Sequence, residues 1–305
     1  MGLINELKPC FTGTSTSKTA ITPELKVLCA LNFYASGSYQ RYVGNDRYIG
    51  LSQKSVSRCI RDVTNAICSG LFNKWIKFPI NSFQQNKIKL GFNQKFGFPG
   101  VIGAVDGTHV AIIAPKDTEE CQGFIYINRK SFHSLNVQLI CDSDLMIINV
   151  NAKFPGSSHD SFVWRSSGVR HALSRHHETG SWLLGDAGYP LEPWLLTPVP
   201  SPTVGSANER YNKKHATARN CIERCIGVLK SRFRCLLHAR ELNYEPTTAG
   251  KIVNACAVLH NICRHYKLPD IENDCREEPI PPTVFEPSLR AAALKIRDNL
   301  ILTRF

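Results

Sequence analysis

The chain has 305 residues, 43% of them hydrophobic, which is room for one large domain and a smaller one and excludes a disordered chain. Lys and Arg number 37 against 25 Asp and Glu, a net charge of +12 with a pI near 9.2, so the surface favours a polyanion, nucleic acid before membrane. No run approaches the roughly 18 apolar residues of a membrane span. MGLINELKPC carries no signal-peptide pattern and, with Glu6 at its sixth position, no myristoylation motif, so an intracellular protein without membrane contact is expected. Twelve cysteines without paired Cys-x-x-Cys spacing read as small buried hydrophobes of a reducing compartment, with no disulfides.

Residues 1–20 are rich in Ser and Thr and are expected to form a flexible N-terminus. Thr22-Pro23-Glu24 reads as a helix start, with a capping hydroxyl, Pro at the first helical position and an early acid, and the helix runs to about Tyr34. Ala35-Ser36-Gly37-Ser38 breaks it, a short segment comes next around Tyr42–Gly44, and a second helix opens at Ser52. There Val56, Ile60, Val63 and Ile67 form an apolar stripe, while Lys54, Ser55, Arg58 and Arg61 lie off it. A basic second helix after a Gly-containing break suits a helix-turn-helix domain over 21–75, with Lys54, Arg58 and Arg61 toward DNA; a plain helical bundle with a solvated basic face is the alternative. A helix over Asn81–Lys95, within 76–97, connects this region to the strand-forming part of the chain.

From Phe98 the pattern turns to strands. FPGVIGAVDGTHVAIIAP, residues 98–115, is a β-forming apolar run with Asp106 in its middle, and an ionised acid there needs a cation or hydrogen bonds. Asp106-Gly107 also fits a two-residue hairpin turn between Val101–Val105 and Val110–Ala114. A polar loop with YINRK at 126–130 supplies Arg129 and Lys130 as further DNA contacts. SLNVQLIC and LMIINVNAKF then flank Asp142-Ser143-Asp144 as a hairpin.

His159-Asp160 opens a helix after Gly156-Ser157-Ser158, so Asp160 is either a helix cap or a ligand. SWLLGDAGYP is a short strand ending in Asp186, and the Pro-rich residues 191–205 read as an irregular surface loop over a site. A long helix over about Asn208–Leu236 buries Ile222, Ile226, Leu229, Phe233 and Leu236, with Glu223 bordering that stripe. Gly227 and Lys230 share the Glu223 face, Gly227 leaving clearance for a ligand or packing against a helix, and Lys230 placed to meet a phosphate. In the next helix, Thr248–His265, Cys256, His260 and Cys263 do not make a standard zinc set. Residues 267–305 read as a tail: a Pro- and Glu-rich linker, then a basic amphipathic stretch over Pro287–Leu300.

Strand with acid, hairpin, helix, strand with acid, helix with acid is the order of a ribonuclease H-like α/β fold, a mixed sheet with flanking helices, here over 98–266. Such acids hold one or two Mg²⁺ or Mn²⁺ ions for phosphoryl transfer.

AVDGTHV, YINRKSFHSLNVQLICDSD, FPGSSHDSFVW, LLGDAGYP and NCIERCIGVLKSRFRCL resemble successive blocks of the Harbinger transposases and the nucleases derived from them, over about Tyr34–Tyr266. The resemblance implies a DDE-type, divalent-metal-dependent DNA endonuclease, with Asp106, Asp186 and Glu223 as catalytic acids and metal ligands and Asp160 as an additional ligand. A domesticated, non-cutting DNA-associated protein is the second reading. The chain begins close to the helix-turn-helix segment, so a shortened N-terminal region is expected. That gives weight to a Myb-like partner for DNA targeting and nuclear import, which the family implies, with a nuclear location and a cytoplasmic pool. Assembly into a homo-oligomer is left open.

Overall fold

The computed structural model describes residues 2–11, 20–117, 122–271 and 287–305. Six helices come first: α1 (Leu3–Leu7), α2 (Pro23–Ser36), α3 (Gln40–Gly44), α4 (Gln53–Gly70), α5 (Phe72–Trp75) and α6 (Ser82–Phe96). The three longest, α2, α4 and α6, each open on a capping side chain. Thr22 accepts from the Leu25 amide and Pro23 opens α2, which stops where Gly37 turns left-handed at φ 63°. Ser52 accepts from the Ser55 amide to start α4.

All four stripe residues of α4 are buried, while Lys54, Arg58 and Arg61 are exposed. The helical region is not a free-standing module: α4 packs on α2 and also on α10 (Pro246–His265), and one hydrophobic core runs from Val63 and Ile67 through to Val137 and Leu139. The expectation of a loose N-terminus fails for residues 2–11. There α1 and a 3₁₀ turn form, and Leu7 is fully buried against α4, since an apolar helical turn gains more from that core than it loses in backbone entropy. Residues 12–19 lie outside the described set.

The sheet has β1 (Val101–Ala111) at its centre in the order β3-β2-β1-β4-β5, with β2 (Ser134–Cys141), β3 (Ile147–Pro155), β4 (Trp182–Leu184) and β5 (Leu195–Leu196). β1, β2 and β3 pair antiparallel, and β4 and β5 run parallel to β1. This is the ribonuclease H-like mixed sheet. β1 continues unbroken through Asp106 and Gly107, paired to Leu139 and Gln138, so the hairpin-turn alternative is overturned. Every residue of β2 is buried, as a strand covered on both faces must be.

One face is covered by α9 (Ala207–Arg232) and α10. The other carries α7 (Asp160–Arg165) and α8 (Gly168–His176), over a core of Ile102, Val105, Trp164 and Tyr189. The Pro-rich stretch 191–205 is corrected in its first half. Leu191–Thr197 is buried and supplies β5, because Glu192, 3% exposed, accepts from both Trp164 and Trp194 indoles at 2.9 and 2.7 Å and pairs with Arg170. Satisfied in this way, an acid can lie inside the fold.

The expected C-terminal tail is in part a docked helix. In α11 (Pro287–Arg304), Ala293, Leu300 and Ile301 are buried, and Phe305 stacks on Phe98 and Tyr211. Its linker, 272–286, lies outside the described residues.

Candidate active site

Two acids are brought together by strand register. β1 and β4 pair in parallel with Ala104 opposite Leu184, and two residues further along each chain stand Asp106 and Asp186. The ladder ends at Ala104 and Leu184, and Asp186 comes near enough for its charge to act on Asp106. Asp186 lies just past the end of β4, held by its Oδ1 accepting from the Gly188 amide at 2.9 Å.

The third acid arrives on α9, which packs across β1, β2 and β4. Its start is fixed by Ser206, which accepts from the Glu209 amide, while Glu209 accepts from Gly205. Glu223 stands on this helix, half-exposed. Between it and the strand acid lies Arg219, one turn earlier. Its guanidinium donates to Asp106 Oδ2 at 2.6 Å and to Glu223 Oε1 at 2.7 Å. Arg219 and Asp106 are only 17% and 14% exposed.

Asp160 approaches from the opposite face, against Gly107, where any Cβ would overlap its carboxylate. It is the first residue of α7, and its Oδ1 accepts from the Asn136 amide at 2.8 Å; His159 is the residue in the capping position.

The electrostatics result from this crowding. Burial pushes Asp106 up to about 7 against the pull of Arg219, with Asp186 and Asp160 pushing it further. Burial likewise raises Asp160, opposed by the Asn136 hydrogen bond, with the Asp186 charge adding to the rise; burial also raises Asp186, opposed by Arg219. The cluster therefore favours a cation.

Among the described residues, no three His, Cys, Asp or Glu side chains are drawn close enough to enclose a metal ion. The donor set nevertheless suits a hard cation: the four acids offer only oxygen, and Asn136 Oδ1 and Gln138 Oε1 are buried acceptors without a hydrogen-bond partner.

The remaining sequence-derived residues divide. Arg129 and Lys130 are exposed in the loop before β2, and the charge of Arg129 reaches Asp160. Lys230 is 7% exposed and its Nζ donates to the His109 carbonyl at 3.0 Å, so it braces β1 and would have to give up that bond to meet a phosphate. Gly227 has nothing within 4 Å of a Cβ position, which excludes helix packing as its reason. The groove lined by Lys77, Phe83, Lys87 and Asp144 contains none of the four acids.

Sequence reasoning missed Arg219, Asn136 and Gln138. Only Arg219 carried a signal, its position four residues before Glu223, where an Arg and a Glu on a helix meet.

An acid in the middle of the central strand, a second just past the end of the parallel strand beside it and a third on a crossing helix of a ribonuclease H-like sheet define the class of nucleases and transposases. The sequence places the chain within it: it belongs to the family described as DDE superfamily endonuclease, whose model matches residues 105–261, and within that to the Harbinger-type, transposase-derived proteins. It is 39% identical over 300 residues to the protein named Putative nuclease HARBI1 of Mus musculus, covering 94% of this chain and 81% of that one. The Homo sapiens protein of the same name is 38% identical over 292 residues, with the same coverage. Protein ALP1-like of Arabidopsis thaliana is 26% identical over 250 residues, 78% of this chain and 59% of that one. No solved structure matches the chain significantly.

Proposed function

We propose that the chain is a divalent-metal-dependent DNA endonuclease of the transposase type, in which Asp106, Asp186 and Glu223 hold Mg²⁺ or Mn²⁺ and Asp160 is an auxiliary ligand. The observation that supports this most is the gathering of the acids: the parallel β1–β4 pairing leads to Asp106 and Asp186, whose charges interact, and Arg219 of α9 bridges Asp106 to Glu223. Three buried acids with raised proton affinity that feel one another's charge are costly in a core, whereas they suit a cation and a phosphate. When bound, the metal supplies Lewis-acid activation of the attacking oxygen and of the scissile phosphate.

The chain's own residues do the rest. Asn136 orients Asp160, the Gly188 amide orients Asp186, and β1 fixes Asp106. Exposed Lys54, Arg58 and Arg61 on α4, with Arg129, whose charge reaches Asp160, and its neighbour Lys130, hold the DNA backbone; Lys230 supports β1 in this reading. The functional units are the helix-turn-helix-like region at 21–75, the connecting helix at 76–97 and the nuclease domain at 98–266. The protein works in the nucleus, with a cytoplasmic pool, beside a Myb-like adaptor that supplies DNA targeting, and a homo-oligomer is compatible with this reading.

Nicking of supercoiled plasmid in Mg²⁺ or Mn²⁺, abolished by EDTA and by Asp106→Asn, is the expected result. A folded wild-type chain that binds DNA yet never nicks it in either metal favours the non-cutting reading.

A further inference from the structure

The Arg219 guanidinium spans two carboxylates that the proposed function assigns to a metal, at 2.6 Å from Asp106 and 2.7 Å from Glu223. We propose that Arg219 is a built-in counter-ion of the acid cluster that has to leave before a divalent cation enters, so that guanidinium and metal compete for Asp106 and Glu223. This rests on the metal reading of the site.

The reasons are charge and space. Asp106, Asp186 and Asp160 lie near enough for each to feel another's charge, and burial removes the water that would screen them. A folded protein without metal therefore needs a positive group there, and Arg219 is the one in contact with Asp106. A guanidinium suits this because its fork reaches two carboxylates at once, which an ammonium cannot do with the same geometry.

Arg219 is also incompletely held. Its Nε is buried without a hydrogen-bond partner, as are single nitrogens of Arg232 and Arg297, so the carboxylates are its recorded anchors. The side chain lies at the edge of the site, 17% exposed, beside half-exposed Glu223, so the guanidinium can swing toward solvent by side-chain rotation without moving α9.

Oxygen lone pairs of Asp106 and Glu223 that accept from a guanidinium are not available to a cation. By linkage each ligand then weakens the other, and couplings of this kind usually amount to roughly 5–150-fold in affinity.

Mn²⁺ binding to the full chain, followed by the electron paramagnetic resonance signal of free Mn²⁺, reads the competition directly. Arg219→Gln is expected to bind Mn²⁺ at least about fivefold more tightly than wild type. In EDTA it is expected to melt below wild type, and Mn²⁺ should recover that loss. Arg219→Lys, which keeps the charge and loses the fork, should fall between the two. A purely structural arginine would lower Tm equally with and without metal and leave Mn²⁺ affinity unchanged or weaker, and that result overturns the proposal while sparing the metal site. Absence of Mn²⁺ binding to the wild type overturns both.

Should Arg219→Gln fail to fold, the wild type still decides. The Arg219 Nε resonance should shift on saturation with Mg²⁺, and an unmoved resonance at saturation overturns the competition.

Discussion

Gly107 and Asp160 touch across the sheet: the backbone of β1 forms the wall against which the Asp160 carboxylate lies, and a methyl group at position 107 would overlap it. Gly107→Ala should therefore displace Asp160 or bend β1, costing about 1–3 kcal/mol as an overpacked site. Gly227→Ala is the control. It meets open space within a helix and should stabilise by roughly 1 kcal/mol. Urea denaturation of both variants checks the pair, and a weakened DNA affinity in the stabilised Gly227→Ala would assign that glycine to ligand clearance.

Asp186 and Asp160 should fail differently. Asp186→Asn keeps the Gly188 turn, because an amide oxygen can still accept from that N–H, and is expected to abolish metal-dependent nicking with little loss of stability. Asp160→Asn leaves the Asn136 amide an acceptor and should retain measurable cutting. Folded but inactive Asp160→Asn beside active Asp186→Asn reverses the two roles.

Acid sensitivity comes from a buried histidine and not from the raised acids, whose greater hold on protons favours the folded state as pH falls. His215 is 1% exposed, its Nε2 donates to the Leu196 carbonyl at 3.1 Å, and burial holds it down at about 4. The unfolded chain takes up a proton near pH 6.5 that the folded chain refuses, so its contribution is intact above pH 6.5 and is lost as pH falls toward 4. The full loss is on the order of 3 kcal/mol by that linkage. Denaturation at pH 7, 5.5 and 4.5 should show a shallower decline for His215→Gln than for wild type.

DNA affinity should fall linearly with log salt, as Lys and Arg release condensed counterions. Arg58→Ala and Arg61→Ala remove exposed charges of α4, and each should lower affinity and reduce the salt slope by about 1 if it meets a phosphate. Unchanged slopes in both variants would leave α4 as a packing helix with a solvated face.

Much of this was legible in the residues because local chemistry and global fold agree. The α4 stripe, the hairpin of β2 and β3, and the acids in sheet and helix all come from period and neighbours. β5 was not, since Leu195 and Leu196 sit among prolines, and what makes them a strand is the parallel edge of β4 and the anchoring of Glu192 by two indoles. The burial of α1 was hidden for the same reason, a tertiary contact with α4 that no short window contains. Lys230 shows the limit at side-chain level: its helix face was predicted, while its bond to the His109 carbonyl depends on how α9 crosses β1.

The order of strands also sets a schedule for the nascent chain. β1, β2 and β3 are complete in sequence before β4 is made, so the hairpin half of the sheet can form while Asp186, Arg219 and Glu223 have yet to be synthesised. Until then the centre of β1 is an open edge with an unneutralised Asp106, a poor template for stray strand pairing because an ionised acid in the middle resists being covered. Neutralising that acid as Asp106→Asn should therefore raise aggregation of the growing chain, read as a larger insoluble fraction after translation in vitro.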